Sequence, residues 1–303
     1  MATTYFAEGF PYTIVNSLAP VLFKALGASY AEIGLAALLH IPWNLKFLWA
    51  PALDIYESRR RWLVATELLI GAALVGVALL SAKGLLFALS LALFGVALLS
   101  ATQDIAVDAF YLEALDEVGQ SRFVGFRAMA YRLASILLSG VGLVAVDAVG
   151  WPLALGAMAA VMFALAAFHA KRLPSGLAPR RPVRQLGAAL VRPHRVAIVA
   201  AVLVAVLIGS RSGLGEWLKS VPVLGRMSWG GWISTLLLAA VAGMLLFRRA
   251  LIPRLASSDY GRGFAAFLEG PSATLILLFL LSFRAGEGLL IQMKWPFLED
   301  QMH

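Results

Sequence analysis

The 303-residue sequence contains no cysteine, which excludes disulfides and thiolate metal sites. Histidine is scarce: His40, His169, His194 and His303 are scattered, without metal-ligand spacing. No G-x-S-x-G elbow and no phosphate-binding loop occurs, so the chain reads as no enzyme, with no cofactor and no resident metal. Charge is sparse as well, at 14% of residues against 61% hydrophobic ones. With a mean hydropathy of +0.83, this is far more apolar surface than a soluble domain of this size needs. Long apolar runs of this kind are membrane spans. No basic region precedes the first of them, so a cleavable signal peptide is not expected. The abrupt start also suggests that a few leading residues are missing.

The net charge of +8 sits in loops rather than on a soluble module, which argues against nucleic acid. It points instead to topology and to anionic membrane lipid as a partner. Basic residues gather at Arg59 to Arg61, at Lys171 to Arg195 and at Arg248 to Arg262. The opposite side holds Lys83, Arg211, Lys219, Arg226 and Lys294. That asymmetry predicts a cytoplasmic N-terminus in an inner-membrane, multi-pass protein.

Apolar runs predict nine spans. The first covers about Tyr5 to Leu26 and includes Glu8, Pro11 and Pro20; the second covers Tyr30 to Ala50, with His40 and Asn44 on one stripe and Lys46 unusually deep. Pro51 is expected to end the second. The third to sixth cover Trp62 to Ser81, Leu85 to Leu112, Phe123 to Val146 and Trp151 to Phe168. After a basic linker come two weaker runs, Val196 to Gly209 and Gly231 to Phe247, the former only about 22 Å long against a ~30 Å core. A last run starts at Ser272 and reaches about Ile291.

The stretch from Ser100 to Gly142 concentrates intramembrane charge in two adjacent spans. Asp104 and Asp108 are one helical turn apart and share a face, next to Gln103; Arg127 and Arg132 follow a polar break. An antiparallel hairpin centred near Val118 predicts that Asp104 meets Arg132 and that Asp108 meets Arg127. Charge inside a span usually faces a partner or a watery cavity. A structural clamp and a transport site both remain open, and the two are compatible. A stripe of small and polar residues, Gly125, Ala128, Arg132, Ser135, Ser139 and Gly142, predicts a close-packed seam carrying one charge.

Three stretches carry a family resemblance. Y-F-A-E-G-F-P-Y in the first span, N-L-K-F-L-W-A-P-A-L-D in the second and S-A-T-Q-D-I-A-V-D-A in the fourth resemble the AmpG-type muropeptide permeases of the major facilitator superfamily. Acetyl-CoA transporters of the same family are similar more loosely. Asp54 with Arg59, Arg60 and Arg61 stands where that superfamily has its loop motif between spans two and three, with Ala50 or Pro51 replacing the usual glycine.

The resemblance implies an all-α facilitator-type bundle. Residues 1–170 form its N-terminal six-span half and 171–195 the basic cytoplasmic linker. Residues 196–247 hold two extra spans, 248–271 a cytoplasmic loop, and 272–303 the first span of an incomplete second half, as in a fragment. It also implies a proton-coupled symporter that imports muropeptide-like sugar-peptide fragments by alternating access. Small-molecule substrate and protons would then be the partners. An acetyl-CoA or other solute transporter, or a non-transporting scaffold, is the alternative. The expected substrate and proton pathway comprises Glu8, His40, Asn44, Lys46, Gln103, Asp104, Asp108, Arg132, Arg284 and Glu287. The expected gate comprises Asp54, Arg59, Arg60, Arg61 and Arg127.

Overall fold

Proline shapes the first two spans in the computed structural model, which describes residues 1–29, 33, 36–174, 181–190, 239 and 242–279. The chain divides into two compact units, Met1–Leu186 and Gly187–His303. In the first unit, the first span is an α-helix over Ala2–Thr13, a π turn over Ile14–Leu18 and a second α-helix over Ala19–Ala25. Pro20 has no N–H for the carbonyl four residues back, which lies inside the π turn; the wider turn absorbs the missing bond.

The second span is not the regular helix expected over Tyr30 to Ala50. It runs as a 3₁₀ turn Ala36–His40, a short α-helix Ile41–Leu45, a 3₁₀ turn Lys46–Leu48 and a further short helix Ala50–Ile55. Pro42 and Pro51 each open one of the short helices, where a missing N–H costs nothing. Pro51 therefore restarts a helix rather than ending one. Broken backbone of this kind is tolerated at membrane depth where protein or a polar cavity surrounds it.

Four longer helices complete the unit: Arg59–Lys83, Leu86–Ala114, Glu117–Val149 and Trp151–Arg172, each long and apolar enough to cross a membrane. The third span begins where the Ser58 side chain accepts from Arg61 N–H and stops at Gly84, whose φ of 63° closes the turn. The fifth begins where Asp116 accepts from Gly119 N–H at 2.8 Å. It contains a π turn over Leu138–Gly142.

The first, third, fourth and sixth spans share an apolar core. Ile14, Leu18 and Leu22 meet Ile70, Leu74, Leu89, Leu93, Leu155 and Met162, all nearly or fully buried. The first span crosses the fifth so closely that a Cβ on Gly9 would lie 2.7 Å from the Tyr131 carbonyl oxygen. The seam facing it is Ala130, Tyr131, Ala134, Ser135 and Leu138, not the small-residue stripe expected from the sequence. Gly125, Ala128 and Ser139 are exposed, and only Ser135 and Gly142 of that stripe are packed. The rest of the fifth helix shows an apolar outer face, with Met129, Ile136 and Val144 more than half exposed.

In the second unit, the expected loop at 248–271 instead holds two helices, Arg248–Ala256 and Asp259–Glu269. The Ser258 hydroxyl accepts from Gly261 N–H at 3.0 Å and starts the latter. A following helix, Ala273–Phe279, meets it at 89°. The two extra spans expected over 196–247 lie largely outside the described residues.

The tight crossing at Gly9 generates a prediction. Gly9→Ala forces a methyl against a backbone carbonyl that cannot rotate away and should destabilise the chain by about 1–3 kcal/mol. Gly95→Ala, with nothing within 4 Å of its added Cβ, should be neutral or stabilise by up to about 1 kcal/mol. Thermal unfolding of the two detergent-purified variants checks this; equal melting shifts would refute the close crossing.

Candidate functional site

Five charged side chains meet where the first, second, fourth and fifth spans converge. Asp104, on the fourth helix, is 8% exposed and forms an ion pair with Lys46 Nζ from the second span. The break at Lys46–Leu48 turns the lysine toward the fourth helix, and Trp49 Nε1 donates to Thr102 Oγ1 at 3.1 Å to hold the break in place. Glu8 projects from the first helix toward the same pair; Asp104, Asp108 and Lys46 all act on it electrostatically, and its Oε2 is buried without a hydrogen-bond partner.

One turn further along the fourth helix, Asp108 accepts from the Tyr5 hydroxyl at 2.9 Å and faces Arg127 Nη1 at 3.7 Å. The Arg127 guanidinium also lies over the Tyr5 ring at 4.9 Å and the Tyr111 ring at 5.3 Å. Cation–π contact of this kind holds the planar cation in a fixed orientation beside the carboxylate. Arg127, expected in the gate, thus belongs to the charge cluster.

The expected Asp104–Arg132 pair is not formed. Arg132 is exposed on the outer face of the fifth helix, in a shallow groove with Ala128, Met129, Leu133 and Ile136. Positions 127 and 132 are five residues apart, about 140° around a helix, so they cannot both face the fourth span. Lys46 occupies the place that the sequence reading gave to Arg132.

Of the other expected pathway residues, His40 contacts Asn16 Oδ1 through Nδ1 at 2.9 Å. Its ring packs 6.0 Å from Tyr12 and 5.5 Å from Trp43, and Tyr12 also meets Tyr131 at 5.7 Å. Asn44 is exposed. Gln103 is fully buried and faces Glu67 on the third helix rather than the charge cluster. It comes within reach of Glu67, yet neither its Nε2 nor its Oε1 makes a well-formed hydrogen bond. Arg284 and Glu287 lie outside the described residues.

The expected gate residues form a linked set at the start of the third helix. Arg59 pairs with Asp54, donates to the Leu53 carbonyl at 2.9 Å and lies 3.6 Å from Glu113. Arg60 donates to the Ala170 carbonyl at the end of the sixth helix. Arg61 pairs with Glu57 at 2.6 Å. Glu57, which the sequence reading passed over, has a φ of 52° and anchors the linker. Its Oε1 accepts from Val183 N–H at 3.0 Å, and its own N–H donates to the Arg181 carbonyl at 2.9 Å. Arg181 N–H returns a bond to the Ile55 carbonyl at 3.2 Å, completing a short parallel bridge. The Arg61 guanidinium, helped by the Val183 N–H, holds the Glu57 carboxyl below the usual glutamate range.

Sequence reasoning also missed Tyr5, Tyr111, Glu113, Glu67 and His169. Tyr5 stands in the same stretch as Glu8 and was within sight; the Glu67–His169 contact joins residues 102 apart in sequence and had no local signal.

A helical bundle with paired charges inside its spans is a polytopic membrane protein of transporter type. The profile of the Major Facilitator Superfamily matches residues 1–293, and the chain belongs to that family. Among curated proteins, it is 31% identical over 149 residues to an uncharacterized protein of Haemophilus influenzae, covering 47% of this chain and 35% of the relative. It is 27% identical over 152 residues to the anhydromuropeptide permease of Escherichia coli K12, covering 48% and 31%. An AmpG-named transporter of Rickettsia felis is 27% identical over 143 residues, covering 45% and 34%. The chain spans about a third of the length of the curated relatives it matches.

Two predictions come from this geometry. Lys46→Gln leaves the Asp104 side chain, 12% exposed, without its counter-charge and should cost about 3–5 kcal/mol. Asp104→Asn leaves an ammonium that is 34% exposed and within reach of water, so it should cost less, about 1–3 kcal/mol. The double variant should be more stable than Lys46→Gln alone, and Arg132→Gln should stay within about 0.5 kcal/mol of the parent. Denaturation in a double-mutant cycle checks this; additive losses at Lys46 and Asp104 would contradict the pair.

The second concerns acid. A carboxylate with a depressed folded pKa stabilises above its unfolded value, ~4.3 for glutamate, and the stabilisation is lost as pH falls through the folded value. Acidification below ~4.3 should therefore release the 181–183 segment from Glu57. A spin label on a cysteine introduced at position 182 should become more mobile there, and Glu57→Gln should show that mobility already at neutral pH. A label equally mobile at both pH values would refute the anchor.

Proposed function

We propose that this chain is part of an inner-membrane, proton-coupled importer of sugar-peptide fragments of the muropeptide kind. Residues 1–170 serve as its first six-span half, followed by a cytoplasmic linker at 171–195. The observation that carries the reading is a charge count inside the membrane. Three carboxylates, Glu8, Asp104 and Asp108, meet two cations, Lys46 and Arg127. Among the described residues, one negative charge in this poorly solvated site has no cationic partner, and a bound proton balances it.

Symport requires that proton and substrate be loaded together and carried in the same direction, and a carboxylate that takes up a proton beside the substrate path meets that requirement. The broken second span supports the reading too, because it offers backbone and polar side chains at membrane depth. The aromatic group Tyr12, His40, Trp43 and Tyr131 beside the cluster supplies flat surfaces for sugar rings. The relative named as an anhydromuropeptide permease supports the substrate class, since its match covers almost half of this chain. Asp54, Arg59, Arg60 and Arg61, tied to the end of the sixth helix, act as the cytoplasmic gate.

Uptake of a labelled anhydromuropeptide by cells expressing the longest natural form of the protein tests the proposal. Uptake should collapse with a protonophore, and Glu8→Gln should lower it by at least about tenfold, the equivalent of ~1.4 kcal/mol. Uptake unchanged by the protonophore would remove proton coupling. Transport of a CoA thioester with no wall fragment moved would replace the substrate class.

A further inference from the structure

A second buried ionisable pair lies in the same unit and takes no part in the charge cluster. Glu67 of the third span and His169 of the sixth are both fully buried, with His169 Nδ1 and Glu67 Oε1 2.7 Å apart. The other ring nitrogen, Nε2, lies 3.0 Å from the Thr3 hydroxyl at the start of the first span. The fourth span contributes the Gln103 amide. His169 is the charged group that acts on Glu67; Thr3 and Gln103 are uncharged, so the pair is electrostatically its own unit.

Its hydrogen bonding suits two protonation states equally. With Glu67 ionised, Nδ1–H donates to it whether the ring is neutral or charged. At Nε2, a neutral ring accepts from the Thr3 O–H, whereas an imidazolium donates to the Thr3 oxygen. A hydroxyl reverses its role by rotating, so the ring gains or loses a proton without moving a heavy atom. A purely structural pair needs only one of these arrangements.

The carboxylate side has spare capacity as well. Glu67 Oε2 and both polar atoms of the neighbouring Gln103 amide are buried without a well-formed hydrogen bond. Unpartnered polar atoms of this kind are costly and call for a ligand, an internal water or a proton.

We propose that Glu67 and His169 form an exchangeable proton-binding site at the junction of the first, third, fourth and sixth spans, distinct from the Lys46–Asp104 cluster. Gln103 and Asp104 are consecutive on the fourth helix, the former facing Glu67 and the latter Lys46, so the two networks meet there. Loading of the pair is felt by the same helix that carries the charge cluster. Only its role in coupling rests on the proposed function; its proton binding does not.

The test uses the full 303-residue chain, with ¹⁵N-labelled histidine, in a membrane mimetic without substrate. His169→Gln assigns the His169 ring signals by their disappearance. In the parent chain, the His169 ring signals should change with pH, the mark of a proton gained and lost. Glu67→Gln should displace the midpoint by at least about one pH unit, because the neighbouring charge is gone. Thr3→Val, which deletes one hydroxyl and keeps the packing volume, should alter the Nε2 shift and displace the midpoint even if Glu67→Gln fails to fold.

A His169 ring that stays in one state at every pH at which the chain is folded overturns the proposal, as does a midpoint that neither variant moves. For the coupling role, Thr3→Val in the longest natural form should displace the pH profile of uptake while leaving transport measurable. Titration of His169 with an unmoved uptake profile overturns that role. Absence of wall-fragment uptake overturns only the substrate assignment above.

Discussion

The Lys46–Asp104 ion pair is the contact on which the charged interior depends. A carboxylate at 8% exposure inside a helical bundle survives only beside a cation and hydrogen-bond donors. The cation comes from the second span, which is not a continuous helix. Two prolines divide that span into short pieces that neither propensity nor length would hold alone. The ion pair and the Trp49–Thr102 hydrogen bond tie those pieces to the fourth helix. Break and charge therefore require one another: the break lets Lys46 reach Asp104, and Asp104 keeps the broken segment in register.

Around that contact the polar groups are segregated into separate patches. Glu8, Asp108, Tyr5 and Arg127 extend the cluster toward the fifth helix, and Arg127 is held by two tyrosine faces as well as by charge. Glu67, His169, Thr3 and Gln103 form a neutral-edged pocket between other spans. Asp54, Glu57, Glu113 and Arg59 to Arg61 occupy the helix ends, where ion pairs are more solvated. The remaining core is apolar, with Ile70, Leu74, Leu89 and Leu93 fully buried.

Much of this was legible in the sequence because charge in an apolar run is conspicuous. Glu8, Lys46, Asp104, Asp108 and Arg127 all announced themselves that way, and Asp104 and Asp108 share a face because four residues return a helix almost to its starting angle. The partner of Asp104 was not legible. Equal depth in a hairpin suggested Arg132, but depth says nothing of the angle about the helix axis, and Arg127 already occupied the facing side. The route of Lys46 depended on the break in the second span, which a hydrophobic run does not reveal. Glu67 and His169 looked like isolated polar residues because their contact is made only when the third and sixth spans pack. The helices at 248–269 read as a loop for a different reason: basic and glycine-rich sequence masks helical periodicity, and the Ser258 cap becomes evident only from its bond to Gly261.

The account's central claim is that the charge cluster faces an aqueous path rather than lipid or sealed protein. The thiol-free chain makes this directly measurable by placing single cysteines at positions 8, 46, 104 and 108, with lipid-facing controls at 79 and 91, where Leu79 and Leu91 are 63% and 64% exposed. Membrane vesicles carrying each variant are treated with a small charged thiol reagent, which reacts only where water reaches the thiolate. The account predicts modification at the four cluster positions and none at the two controls. Cluster cysteines as inert as the controls would contradict it and leave these residues as a sealed structural clamp.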